Sequence, residues 1–276
     1  MSFCPRVWLV PVSLLTLCVC SLSSGAWAQA AHSEQVQVKP PLLRMVDAPA
    51  PQDSAADLEA RGDDLRSSKL YLDALDYYHA ALAKQPKSAS VMNKMGITDL
   101  MMQRYHEARK WFDQSIKADR HYADAYNNLG VVFYEGQHYG AAVKQYRRAI
   151  ALDGSSASFF SNLGAALFSK KDFDGAVLAY DRAMALDPDV FERTSHAGVQ
   201  AQLPSPGDRA RYDFTVAKLY AKMGYSDRSL EYLRKAMEDG YKDLKKDVYK
   251  DVEFAELRKD KRFTELMAAK TVALPE

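Results

Sequence analysis

Between residues 55 and 190, apolar and small side chains recur with a helical period. Tyr126, Leu129, Gly130 and Phe133 stand at i, i+3, i+4 and i+7, one face of a helix. Ala142, Tyr146 and Ala149 follow at i, i+4 and i+7 and predict a second, amphipathic helix. The pair then repeats. Gly62, Gly96, Gly130 and Gly164 are each 34 residues apart, and Ala74, Ala108, Ala142 and Ala176 keep the same interval. Tyr78, Phe112, Tyr146 and Tyr180 form a third column, and Ala81, Ser115, Ala149 and Ala183 a fourth. Self-similarity at such a period marks a stacked array, in which each unit buries its apolar face on its neighbours. Glycine and alanine suit helix crossings where backbones approach closely, and the aromatic fills the space beside them. Pro86 and Pro188 end the first and last units, where a residue without an N–H breaks the helix, with Arg120 and Gly154 in that place between them.

These columns resemble the tetratricopeptide repeat. The stretches Tyr126-Asn127-Asn128-Leu129-Gly130 and Phe160-Ser161-Asn162-Leu163-Gly164 carry its first-helix pattern, and Leu186-Asp187-Pro188 its ending. The resemblance implies an all-α fold, an α-solenoid built as a right-handed superhelix of helix-turn-helix units at 55–88, 89–122, 123–156 and 157–190. Two positions depart from the pattern. Arg61 stands where the first unit wants an apolar residue, which suits an end unit with a polar outer face. Asp99 stands where the second wants Leu or Tyr; Leu100 is the candidate to take over its packing.

The strict period stops after residue 190. Phe191 to Arg209 reads as an insertion or loop containing Gly198, Pro204, Pro206 and Gly207. A degenerate fifth unit is predicted at 210–243 from Ala217, Ser229, Leu233 and Ala236. Capping helices follow at 244–276, through Val252 to Leu257 and Arg262 to Met267. Their alternating charges read as a solvated cap.

The other end of the chain reads differently. Arg6, the uncharged run Val7 to Cys20 and the small residues around Ala26-Trp27-Ala28 and Ala28-Gln29-Ala30 predict a secretory signal peptide at 1–28, with cleavage after Ala28 or Ala30. The run is shorter than the roughly 20 residues a bilayer core requires. Pro40, Pro41, Pro49 and Pro51 mark 29–54 as a disordered linker. The expected location is therefore periplasmic or extracellular, with no membrane span in the mature chain. Cys4, Cys18 and Cys20, the only cysteines, leave with the signal, and disulfide or thiolate chemistry leaves with them.

Composition agrees with helices and removes some partners. Gly 13 and Pro 11 in 276 residues fall below the usual share of about 12%. With 37 Lys and Arg against 36 Asp and Glu, the formal charge is +1, which gives no footprint for nucleic acid. Loss of Arg6 makes it zero.

The sequence contains no G-x-S-x-G, P-loop, G-x-G-x-x-G or H-E-x-x-H pattern. The six histidines show no metal-ligand spacing. No catalytic residue, metal or cofactor is predicted, and the chain is expected not to be an enzyme. The resemblance implies a groove lined by the first helix of each unit, which would take a protein or peptide partner. Asn93, Lys94, Asn127, Asn128, Tyr134, Asn162 and Phe168 are its candidate contacts. Asn128 and Asn162, 34 residues apart, would meet a peptide backbone about three residues apart, given helix spacings of about 8–10 Å and a rise of about 3.3 Å per residue. Tyr134 and Phe168 would supply apolar pockets, extended by Ile97, Leu100 and Met101. A clamp for a chaperone's C-terminal carboxylate is disfavoured, because Glu59 and Asp63 stand at its offsets. Two alternatives remain: a self-associating component of a cell-envelope assembly, and a repeat scaffold carrying an unrecognised enzymatic site. Homo-oligomerisation and the partner's identity stay open.

Overall fold

The computed structural model describes residues 45–191 and 205–269. The predicted signal peptide, the linker as far as Arg44, the insertion at 192–204 and the last seven residues lie outside the described residues. Every described element is helical. Four helix pairs come first: α1 (Ala55–Ser67) with α2 (Tyr71–Lys84), α3 (Ala89–Met101) with α4 (Tyr105–Ala118), α5 (Ala123–Glu135) with α6 (Tyr139–Leu152), and α7 (Ala157–Ser169) with α8 (Phe173–Leu186). A fifth pair, α9 (Pro206–Lys222) and α10 (Ser226–Glu238), precedes α11 (Leu244–Lys250), two single 3₁₀ turns and α12 (Lys261–Ala268). The chain is an all-α solenoid of consecutive helix pairs.

The columns have direct physical causes. A Cβ added to Gly62, Gly96 or Gly130 would lie 2.5, 2.5 or 2.6 Å from Cε1 of Tyr78, Phe112 or Tyr146. Gly164 meets Tyr180 in the same way. The aromatic ring of the second helix thus rests on the bare backbone of the first. In the fifth pair the exchange is reciprocal: Ala217 replaces the glycine, Leu233 replaces the aromatic, and both are buried. Within each pair the turn passes through a left-handed residue: Lys69, Gln103, Gln137 and Lys171, with φ of 63, 61, 59 and 66°. Gly224, with φ 82°, occupies the equivalent place counted from Ala210.

First helices touch one another in succession, α1 to α3 to α5 to α7, and second helices are held further apart. The first helices therefore line the inner face of the curve and the second helices form the outer face.

Two segments differ from the sequence reading. α9 begins at Pro206, inside the predicted insertion. Ser205 Oγ accepts from the Asp208 N–H at 3.1 Å, and proline at the first helical position has no N–H to lose. The end of the predicted linker, from Met45, is fixed along α2 and not free. The N–H groups of Met45 and Val46 donate to the Asp73 carboxylate at 2.9–3.2 Å, the Tyr77 hydroxyl donates to the Asp47 carbonyl, and Lys84 donates to the Pro51 carbonyl at 2.8 Å. Asp73 is 2% exposed, so this strap seals a buried carboxylate.

Candidate partner-binding groove

The inner face is built from one helical stripe per unit. On α5 it carries Asp124, Asn128, Val131 and Glu135, at i, i+4, i+7 and i+11. On α3 the equivalent residues are Ser90, Lys94, Ile97 and Met101, all half-buried. On α7 the same stripe is closed, with Asn162 and Ala165 buried. The accessible part of the groove thus runs over α1, α3 and α5.

A hydrogen-bonded ladder crosses this face. Asn162 Nδ2 donates to Asn127 Oδ1 at 2.9 Å, Asn127 Nδ2 to Asn128 Oδ1 at 3.2 Å, and Asn128 Nδ2 to Asn93 Oδ1 at 2.9 Å. The rungs between units follow one rule: a residue accepts from the residue 35 positions later. Glu59 and Lys94 obey it too, as an ion pair at 2.6 Å, and Lys94 also binds Asp63 at 2.5 Å. Ser90 Oγ joins the same network by donating to Glu59 at 3.0 Å.

This geometry corrects the expected site. Asn93, Asn127 and Asn162 are buried and spend their amides on neighbouring units, so they set the stacking and do not face a peptide. Asn162, at 0% exposure, does not stand beside Asn128 as a second rung for a backbone. Tyr134 and Phe168 are also closed. The Tyr134 hydroxyl bonds Ser169 Oγ at 3.0 Å, and its ring packs on Tyr139. Phe168 packs edge-on against Phe173 and Tyr212. They fill the space between units and form no pocket wall. The charge of Lys94 is already matched by two carboxylates. Asn128 is half-buried and uses one donor and one acceptor of its amide in the ladder; an amide has more of each.

The charged groups of this face are tuned by their surroundings. Burial would raise Asp63, but hydrogen bonds from Lys94 and Tyr78, with the charges of Lys94 and Arg66, hold it below the ordinary carboxylate value. Lys94 rises despite its burial, held protonated by Asp63 and Glu59. Burial pushes Glu135 up, and burial with the nearby Asp153 does the same to Asp124. One end of the face is therefore internally neutralised, and the other presents two carboxylates. Among the described residues, no group of three His, Cys, Asp or Glu side chains is placed to hold a metal, and no helix is long and apolar enough to cross a membrane.

Helix pairs stacked at a constant interval, with inner faces in contact and outer faces splayed, define an α-solenoid of the kind that presents a continuous groove. Sequence models of the tetratricopeptide repeat match residues 87–155, 132–190 and 214–238. The chain is a tetratricopeptide repeat protein. Its fold is similar to several solved structures. MamA is 23% identical with a TM-score of 0.46, over 67% of this chain and 96% of that one. YrrB, described as a TPR protein with an unusual peptide-binding site, is 20% identical with a TM-score of 0.46, over 72% and 93%. The pilF protein of Pseudomonas aeruginosa is 19% identical with a TM-score of 0.49, over 75% and 82%. Comparison with curated protein sequences finds no match.

Proposed function

We propose that this protein is an exported, non-catalytic scaffold whose inner face over α1, α3 and α5 holds an extended segment of a partner protein. The observation that carries the reading is the strip of half-buried Ile97, Met101 and Val131 alongside the Asn128 amide, between the paired charges around Lys94 and the carboxylates of Asp124 and Glu135. Aliphatic side chains and a flexible methionine accept varied apolar residues, and the amide matches a peptide group without reading its side chain. Asp124 and Glu135 at the edge of the strip favour a segment carrying positive charge. Export rests on the pattern of the first 28 residues; fractionation and the mass of the mature chain test it, and an intact N-terminus in the cytosol would overturn it.

The groove is tested with a photo-crosslinking amino acid placed at Glu135 on the inner face and, separately, at Lys144 on the outer face. A discrete adduct from Glu135 that charge reversal at Asp124 weakens is the expected result. Adducts from Lys144 alone would move the binding surface to the outer face.

A further inference from the structure

The charges of α11 and the turn after it alternate along the chain but separate in space. Residues 242–250 carry Lys242, Lys245, Lys246 and Lys250 against Asp243 and Asp247. Leu244 and Val248, 5% and 0% exposed, stand one helical turn apart and fix the side of α11 that faces the core. Asp247 is engaged from within the fold, its carboxylate accepting from the Tyr241 hydroxyl at 3.1 Å. Asp251 and Glu253 turn to α9, where Lys218 Nζ lies 2.9 and 3.5 Å from them. The four lysines are exposed, and among the described residues none of them pairs with a carboxylate. Asp243 is the one acid of the stretch left beside them.

Two apolar side chains share this surface. Lys246, Tyr249 and Lys250 stand at i, i+3 and i+4, on one face of the helix. The Tyr249 ring is braced by an edge contact with Phe263, 5.9 Å between centroids, and is still 59% exposed. Val252 follows, between the two acids that bind Lys218. At 76% it is the most exposed large apolar side chain among the described residues. The backbone beneath is fixed: the Arg258 guanidinium donates to the carbonyls of Val248 and Asp251 at 2.7 and 3.0 Å, tying the end of α11 to the turn.

We propose that this surface docks the protein on an anionic lipid bilayer, with the lysines at the phosphates and Tyr249 and Val252 at the level of the headgroups. Lysines attract such a surface and keep their charge in water while their stems lie against apolar matter. A tyrosine, apolar in its body and polar at its tip, suits the boundary between acyl chains and water. A single helix face offers no groove or sheet edge to hold an extended peptide, whereas a plane of headgroups meets these lysines together. The formal charge of the chain is only +1, so the attraction is local to this face. Asp124 and Glu135 keep the groove itself away from an anionic surface.

A photo-crosslinking amino acid is placed at Tyr249 in the full chain and, as a control, at Lys144. Each protein is mixed with vesicles of phosphatidylcholine containing about one third phosphatidylglycerol, and protein–lipid adducts are read by mass. Adducts are expected from Tyr249, with few from Lys144 and few with phosphatidylcholine alone. Lys246→Glu with Lys250→Glu should raise the lipid concentration needed by at least about 25-fold, at about fivefold per lysine removed. The melting temperature should hold, because neither side chain is bonded. Val252→Ser should weaken the adduct severalfold at unchanged charge. Every variant shares the apolar run Val7 to Cys20, so a difference between them reports α11. Adducts that survive the double reversal, or that form equally from Lys144, would overturn the site. Polyglutamate competing as well as the charged vesicles, or an unchanged adduct in Val252→Ser, would overturn the choice of a lipid surface. Crosslinking from Glu135 in the groove is expected to be unaffected by the double reversal, which separates this face from the first site.

Discussion

The two halves of the solenoid stack the same 34-residue unit with different contacts. In the N-terminal half the apolar core is divided. One cluster gathers around Leu58, Leu65, Tyr78 and Met95, another around Ala108, Phe112, Leu129 and Val132. Polar clasps span the units: Glu59 and Asp63 with Lys94, and Asn93 with Asn128. In the C-terminal half a single cluster runs from Tyr134 through Phe168, Tyr180, Tyr220 and Phe254 to Met267. Aromatic pairs tie α8 and the residues just after it to α9 there: Tyr180 and Tyr212 at 5.9 Å, Phe191 and Tyr220 at 6.4 Å. Apolar burial is non-directional and closes surfaces; a hydrogen-bonded clasp fixes geometry while leaving surface accessible. The half held by clasps is the half that keeps an accessible inner face.

The largest effect should come from breaking the continuous cluster. Phe168 is 1% exposed, and Phe168→Ala is expected to cost about 3–5 kcal/mol. Urea unfolding measures the loss, and hydrogen exchange should rise throughout α9–α12 as well as in α7. A loss confined to α7 would mean that the C-terminal pairs do not depend on that core. Next comes the glycine crossing at the centre. Gly130→Ala puts a methyl 2.6 Å from Tyr146 Cε1, and the buried ring must shift, at about 1–3 kcal/mol or more. An unchanged melting temperature would show that this column is not a helix crossing.

A smaller loss is expected where a clasp meets the continuous core. Asn127 joins Asn162 to Asn128, and Asn127→Ala removes the acceptor of the buried Asn162 Nδ2, at about 1–2 kcal/mol. If the loss is real and the Glu135 crosslink survives, Asn127 is a stacking residue. Loss of the crosslink from a folded variant would return it to the groove.

The fold was legible because its columns are chemically strict: no other side chain fits at Gly130 under Tyr146, so the spacing shows in one sequence. The turns were not legible, because Lys69, Gln103, Gln137 and Lys171 adopt a left-handed backbone without the glycine that would announce it. Pro206 was misread because proline signals both a loop and the first residue of a helix, and the capping Ser205 decides between them. In the groove, the sequence located the asparagines but not their partners. A period of 34 aligns Asn128 with Asn162, whereas the bonds follow an interval of 35 and turn three of the four asparagines inward. Asp99 broke its column visibly; Leu100 does pack, half-buried, against the cluster of Ala108, Phe112, Leu129 and Val132, and only the structure showed that the carboxylate itself is buried.

The finest separation of the two halves lies in one column of rings. The Tyr78 hydroxyl donates to Asp63 at 2.7 Å and accepts from Arg66 Nε at 3.2 Å, so in the first unit the hydroxyl is part of the polar network. The hydroxyls of Tyr146 and Tyr180 are buried without a hydrogen-bond partner, and Phe112 fills the same position with no hydroxyl at all. Tyr146→Phe is therefore expected to be neutral or to stabilise by up to about 1 kcal/mol, and Tyr78→Phe to destabilise by about 1 kcal/mol. Acidification should separate them further. Asp63 has a folded-state pKa below its ordinary value, so its contribution is present above that ordinary value and is lost as pH falls through the folded one. The cost of Tyr78→Phe should shrink over that interval, because a protonated Asp63 no longer attracts the hydroxyl as a charge. Tyr146→Phe should hold constant, since burial pushes that phenol far above the interval. Equal, pH-independent effects at both positions would mean that the two halves rest on the same kind of contact.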